Sequence, residues 1–174
     1  MDAEVAVDEE SVVAWIRGSF DPVEDVVTDD NRFFFFDPDH MFPFATVVTN
    51  DRYDQASDLD RPGVYRLNIG VGRDSWVARF GEPTKRVQGE YGLGSGTDTE
   101  WEFTALDTVM PHPVYGRQHW LCVLNPSAST FATLKADLEE AYRIDRDRSL
   151  RKRGGSPAPE SAGQSPSGAT GENE

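Results

Sequence analysis

The chain has 174 residues and a formal net charge of −14, a length that supports one domain with a substantial core and is short for two. No apolar run is long enough to span a bilayer, and the acidic N-terminus lacks the basic and apolar regions of a signal peptide. The single cysteine, Cys122, excludes a disulfide framework and is expected to be buried. We therefore expect a cytoplasmic protein that has no membrane partner.

The acidic charge is concentrated in the first third of the chain. Residues 1–60 carry 16 acidic and 3 basic side chains, whereas residues 61–150 carry 12 acidic and 11 basic ones. Nucleic-acid binding depends largely on neutralising phosphates with Lys and Arg. The charge therefore disfavours a nucleic-acid partner, and a role in solubility is its simpler explanation.

In chain order, the patterns predict a short helix, two pairs of strands and a second short helix. The first helix covers residues 9–17 with Asp8 as its N-cap. Strands are predicted at 23–27 and 32–36, joined as a hairpin through Thr28–Asn31, and at 44–49 and 64–71. The second helix is predicted at 74–80 and is stopped by Gly81.

The second half predicts a glycine-rich loop, one or two strands and a long amphipathic helix. The loop covers residues 82–96, a strand or sheet edge 100–103, and the last strand 119–124. Asn125 is expected to cap the final helix, with Pro126 at its first position. Together the elements predict one α+β domain over residues 1–150, followed by a disordered Gly/Ser/Pro-rich tail over 151–174.

Two strands place side chains where a binding face is expected. In the predicted strand 64–71, Arg66 and Asn68 project away from the apolar set, which makes them candidates for ligand or partner binding on an open sheet face. Residues 33–36 are four consecutive phenylalanines. Two of these rings must face away from the helix-covered core, so a loop, a dimer partner or a ligand has to cover them.

The turn before the last strand gathers the remaining candidate binding residues, which are His112, Tyr115, Arg117 and His119. The two histidines have no recognised metal-ligand spacing, so no metal is expected. The string IGVGRDS lacks the third glycine of a dinucleotide fingerprint, so no cofactor is expected either. Cys122 lies in an apolar run that disfavours a thiolate, and no catalytic residue is assigned.

These motifs carry two resemblances. The phrases FPFATVVTNDRYDQASDLDRPGVYRLNIGV and ALDTVMPHPVYGRQHWLCVLNPS resemble an uncharacterised domain family found mainly in actinobacteria, over roughly residues 10–148. The order of elements is more distantly similar to the MmcQ/YjbR family, with Tyr115, Arg117, Trp120 and Tyr142 at matching positions. That wider resemblance implies a CyaY-like two-layer sandwich, in which the N- and C-terminal helices pack on one face of an antiparallel sheet.

Three functions are consistent with these observations. The first is a non-enzymatic binding domain that takes a protein or small ligand on the open sheet face and the His112–Trp120 turn; a homodimer through this face is also open. The second is nucleic-acid binding of the MmcQ/YjbR type, which needs a basic face made from Arg66, Arg73, Arg79, Lys85, Arg86 and Arg117. The third is a small enzyme with His112 or His119 as a general base.

Overall fold

The computed structural model describes residues 4–37, 42–84 and 93–154. The described residues form the helices Glu9–Ser19 (α1), Arg73–Phe80 (α2) and Ala128–Arg153 (α3). They also form the strands Glu24–Thr28 (β1), Asn31–Phe35 (β2), Ala45–Val48 (β3), Arg66–Gly70 (β4), Met110–Pro111 (β5) and Trp120–Leu124 (β6). A 3-10 turn over Gly116–Gln118 precedes β6.

The strands form one sheet in the order β1-β2-β3-β4-β6-β5, and all neighbours are antiparallel. The first four strands follow one another as a meander, β6 returns beside β4, and β5 lies at the edge. Both terminal helices contribute to the same core cluster as one face of the sheet. The predicted α+β sandwich, with α1 and α3 on one face, is confirmed.

Alternation along the strands decides which side chains enter this core. The helix-facing positions are apolar and almost fully buried; they include Phe34, Ala45, Val47, Leu67, Ile69, Leu121 and Val123. Each large apolar side chain buried in this way contributes about 1.5–3 kcal/mol to folding. The opposite face, which we call the outer face, therefore receives the alternate residues of β3, β4 and β6.

The predicted helix starts are right for α1 and wrong for α3. Asp8 caps α1, because its carboxylate accepts the N–H of Ser11 at 2.7 Å. At α3 the N-cap is Ser127 instead of Asn125. Asn125 holds a turn: it accepts the N–H of Tyr65 at 2.9 Å, and its backbone φ of 41° lies outside the helical region.

The hairpin and the first four strands are confirmed to within a few residues, but the strand expected at 100–103 is wrong. That segment is irregular, and Trp101 and Phe103 pack on a second apolar cluster on the outer face. The strand that precedes β6 is the two-residue β5. Helix α3 extends to Arg153, and the rest of the predicted tail, residues 155–174, lies outside the described residues.

The protein's own chain covers the outward pair of the phenylalanine run. Phe35 is buried, and Phe33 is half-buried with its ring edge-on to that of Tyr53 at a centroid distance of 5.8 Å. Tyr53 belongs to the loop between β3 and β4. The surplus aromatic surface therefore requires no ligand or second subunit.

Candidate functional site

The outer face, which the sequence suggested to be open, is closed over. Arg66 is 1 % exposed and Asn68 is 2 % exposed. The β3–β4 loop and the segment before β5 both carry side chains that pack on this face and cover Arg66 and Asn68. The expectation of an open binding face at Arg66 and Asn68 is therefore corrected: both side chains are interior.

These side chains belong to a buried polar cluster, which we define as Thr46, Asp54, Ser57, Arg66, Asn68 and His112. The guanidinium of Arg66 forms a bidentate pair with Asp54, with Nη2–Oδ2 and Nη1–Oδ1 distances of 2.6 and 3.1 Å. It also donates to the hydroxyl of Ser57 and to the side-chain oxygen of Asn68, each at 2.9 Å. A buried charge is tolerated when it is paired and hydrogen-bonded in this way.

Electrostatics within the cluster favours the ionised pair. Burial by itself raises the pKa of Asp54, but the hydrogen bonds and positive charge of Arg66 outweigh it and hold the pKa below its usual value. The Asp54 side chain keeps 14 % exposure, whereas that of Arg66 keeps 1 %. Of the two charged groups, the Asp54 carboxylate therefore lies nearer to solvent.

His112 is held in its neutral form by the same cluster. Its Nδ1 accepts the backbone N–H groups of Val114 and Tyr115, each at 3.0 Å, so the proton of the neutral ring lies on Nε2. Nε2 lies 3.4 Å from Nη2 of Arg66. Burial and the Arg66 charge lower the pKa of His112 to about 3. The ring shapes the following turn and is poorly suited to accept a proton.

The other predicted site residues of the turn lie apart from one another. Tyr115 is 48 % exposed, and its ring lies 5.2 Å from that of His112. His119 adopts a left-handed φ of 68° and lies against Trp76, at a centroid distance of 6.0 Å. Arg117 is half-buried beside the segment 93–97. Of the six predicted site residues, the structure brings together Arg66, Asn68 and His112, with Tyr115 at their border.

Part of the glycine-rich loop is docked on this turn. Gly94 donates its N–H to the carbonyl of Val114 at 2.8 Å and accepts the N–H of Arg117 at 3.2 Å. At Gly116 an added Cβ would lie 1.9 Å from the carbonyl oxygen of Ser95. The glycine is needed because two backbones meet there. Residues 85–92, which include Lys85 and Arg86, lie outside the described residues.

Nucleophile and metal chemistry find little support in this region. Cys122 is fully buried, its thiol donates to the carbonyl of Pro111 at 3.7 Å, and burial raises its pKa to about 12. Within residues 4–37, 42–84 and 93–154, no three His, Cys, Asp or Glu side chains are grouped closely enough to hold a metal ion.

The same ranges contain no helix that is long and apolar enough to cross a membrane.

A concave site that sequence reasoning missed lies at the end of the sheet near α1. We call it the N-terminal cleft; it has a volume of about 650 Å³ and is lined by residues 6–9 and 59–65, Thr49 and Asn125. One wall is the N-terminal strand-like segment, where Ala6 bridges Ser127. The hydroxyl of Tyr65 donates to the carbonyl of Val7 at 2.6 Å and joins this wall to the floor.

The lining of the N-terminal cleft combines apolar and charged residues. Leu59 and Tyr65 are almost fully buried, and the charged lining residues are Asp8, Glu9, Asp60 and Arg61. The sequence carried one signal for it, the acidic excess of residues 1–60. The concavity itself arises from segments that are about 50 residues apart in the chain, so no local pattern could reveal it.

Fold and site together define a small α+β domain with a closed polar cluster and an open acidic cleft. A family described as being of unknown function, DUF6194, matches residues 7–154, and the chain belongs to that family. Comparison with curated proteins finds no match, and comparison with solved structures finds none either. The membership agrees with the predicted uncharacterised family, whereas the relation to MmcQ/YjbR proteins gains no support.

Proposed function

We propose that this protein is a non-enzymatic binding domain whose ligand site is the N-terminal cleft. The observation that carries the proposal is the cleft itself, an open concavity of about 650 Å³ with a mixed apolar and polar lining. A volume of this size lies within the range of small-molecule sites. The expected site on the outer face is replaced by this one because Arg66 and Asn68 are buried.

The burial and the lowered pKa values of His112 and His119 also favour binding over catalysis. His112 is buried, its Nδ1 is occupied by two backbone N–H groups, and its pKa is far below neutrality. A general base needs a pKa near the working pH and access to the substrate proton. His119 is more exposed, but burial and the charge of Arg73 lower its pKa as well.

The nucleic-acid alternative loses much of its proposed basic face. Arg66 is buried in its pair with Asp54. Arg73 and Arg79 form ion pairs with Glu82 and Asp137, each at 2.5 Å. An arginine that is already in an ion pair gains less free energy when it binds a phosphate, because it must first give up its carboxylate partner.

Three matched fragments test the cleft: benzamidine, benzyl alcohol and benzoate, which share a ring and differ in charge. Each is titrated into labelled protein while the amide resonances of residues 6–9 and 59–65 are followed. We expect at least one fragment to shift these resonances in a saturable way, and Ala6→Trp, which places a large side chain at a lining position, to abolish the shifts.

Val5→Trp is the matched control, since Val5 is 84 % exposed and does not line the cleft. This variant should keep the fragment response of the wild-type protein. The absence of saturable shifts for all three fragments, or equal responses in Ala6→Trp and the wild type, would overturn the proposal.

A further inference from the structure

His112 carries a buried N–H donor that has no acceptor among the described residues. Its side chain is 4 % exposed, and its Nδ1 accepts the backbone N–H groups of Val114 and Tyr115, so the ring proton lies on Nε2. Nε2 faces Nη2 of Arg66 at 3.4 Å, and a guanidinium nitrogen is also a donor. A buried donor that lacks an acceptor costs free energy, which an added oxygen would recover.

The other tautomer of His112 leaves the same conflict. With the proton on Nδ1, Nε2 could accept from Arg66, but the Nδ1 proton would then face the two backbone N–H groups that lie 3.0 Å away. The pKa of about 3 keeps the ring neutral at physiological pH. Three donors therefore converge on a neutral ring that has one acceptor nitrogen.

The oxygens around the Arg66 guanidinium already accept other hydrogen bonds. In Asp54, Oδ2 accepts from Nη2 of Arg66 at 2.6 Å, and Oδ1 accepts from Nη1 and from the backbone N–H of Ala56 at 3.1 and 3.2 Å. The side-chain oxygens of Ser57 and Asn68 accept from the same guanidinium, each at 2.9 Å. The polar cluster therefore has a surplus of donors, and the surplus lies at the imidazole.

The two facing donors can share one acceptor close to the protein surface. Nε2 and Nη2 lie 3.4 Å apart, so one oxygen at the usual distance of about 2.9 Å from each would bond both. Tyr115 borders this point, with its ring 5.2 Å from that of His112, and is 48 % exposed. The side chain of Asp54 is 14 % exposed. The cluster therefore approaches solvent at Tyr115 and Asp54.

The charges of the cluster favour an uncharged acceptor. Arg66 and Asp54 neutralise each other, and the Asp54 carboxylate lies 2.6 Å from the same Nη2. An anion bound at this nitrogen would lie beside that carboxylate, and like charges repel strongly in a buried site. A carbonyl oxygen carries no net charge and can accept from both donors.

We infer that the polar cluster binds the carbonyl oxygen of an uncharged amide ligand through Nε2 of His112 and Nη2 of Arg66, with the body of the ligand against the ring of Tyr115. This site is separate from the N-terminal cleft and goes beyond the proposed function. An amide on an aromatic ring, as in benzamide, has the required chemistry, because the ring can pack on Tyr115 while the carbonyl reaches the two donors.

Three probes share a ring and differ in the group that meets the donors: benzamide, benzoate and toluene. Each is titrated at neutral pH into protein with isotope-labelled histidine, while the Nε2 proton of His112 is followed by NMR. We expect benzamide to shift this proton downfield in a saturable way, benzoate to shift it much less, and toluene to leave it unchanged.

His112→Asn removes the donor and keeps the turn, because the asparagine oxygen still accepts the two backbone N–H groups while the side chain is too short to place a donor at Nε2. Followed through the amides of Val114 and Tyr115, the Kd for benzamide should rise about tenfold or more. His119→Asn is the matched control, since asparagine tolerates the left-handed φ of 68° at this position. Its Kd should equal that of the wild type, and urea titrations establish that both variants are folded.

The inference is overturned if benzamide does not shift the Nε2 proton, if benzoate or toluene shifts it equally, or if both histidine variants weaken binding to the same extent. A long-lived water in contact with this proton that benzamide does not displace would also overturn it, because the acceptor would then be solvent. The fragment test of the N-terminal cleft follows other resonances, so the two proposals fail separately.

Discussion

Arg66 shows how one residue determines the character of the outer face. Its guanidinium is 1 % exposed and is satisfied by Asp54, Ser57 and Asn68. Removing one partner of such a buried pair leaves an uncompensated charge, which costs far more than the intact pair contributes. The polar cluster is therefore a structural core of the covered face.

We expect Asp54→Ala to lower the free energy of unfolding by roughly 3–5 kcal/mol in urea titrations, because it leaves the Arg66 charge buried without a counter-ion. Asp147→Ala is the matched control: its side chain is 53 % exposed and lies 3.1 Å from Nη2 of Arg146, and the residue lies inside α3. Its loss should be below about 1 kcal/mol. Equal losses in the two variants would contradict the assignment of Asp54 to a structural ion pair.

A pH dependence follows from His112. The folded protein holds the pKa of His112 at about 3, against an ordinary value of 6.5. Between these values the unfolded chain binds a proton that the folded protein does not, so stability should fall as the pH falls from 6.5 toward 3. Urea titrations across this range measure the slope.

His112→Asn tests this cause. The asparagine oxygen can still accept the N–H groups of Val114 and Tyr115, but the side chain no longer titrates. We expect a flatter dependence of the unfolding free energy on pH between 6.5 and about 4. An unchanged slope would assign the dependence to other groups.

At the scale of elements, the irregular segment 93–97 acts as a structural part of the domain. It bonds to the turn before β6 through Gly94, Val114 and Arg117. Gly116 permits this contact because the Ser95 carbonyl occupies the space of a Cβ. The sequence showed a run of glycines, which by itself is equally typical of a flexible loop.

Gly116→Ala should therefore destabilise the protein by about 1–3 kcal/mol, as other overpacked sites do. Hydrogen exchange of the Gly94 and Arg117 amides should accelerate in this variant, and thermal unfolding gives the loss. Gly18→Ala is the control, since nothing lies within 4 Å of its added Cβ and it lies inside α1. It should be neutral or stabilising by up to about 1 kcal/mol.

The regular elements could be predicted because their signals are local. The Asp8 cap of α1 and the Thr28–Asn31 turn each lie within a few neighbouring residues. The two-residue β5 has no periodicity to detect, and it was missed. Asn125 and Ser127 are both good N-cap types, and only the contact of Asn125 with Tyr65 decides between them.

At the scale of the whole molecule, negative charge and the concave surface of the N-terminal cleft lie in the same region. Asp8, Glu9 and Asp60, which belong to the acidic first third, line the N-terminal cleft, whereas three arginines of the predicted nucleic-acid face, Arg66, Arg73 and Arg79, are in ion pairs. Long-range fields of this kind select the charge of a partner before contact. This surface therefore opposes the approach of an anionic partner such as DNA more than that of a cationic one.

We expect no binding of a labelled DNA duplex in fluorescence anisotropy at about 20 mM salt, where phosphate contacts are strongest. Single-stranded DNA of the same length serves as the second probe. Binding that weakens steeply as salt is added would contradict this expectation and restore the nucleic-acid alternative.

The sequence by itself determined the α+β class, most element positions, the alternation that separates Arg66 from the apolar face, and the uncharacterised family. These follow from local periodicity, capping and turn chemistry, which are properties of neighbouring residues. Only the tertiary structure decided that the outer face is closed and that the cleft is open. The reason is that irregular loops, which have no periodic signal, bring Asp54 onto Arg66 and place residues 6–9 opposite residues 59–65.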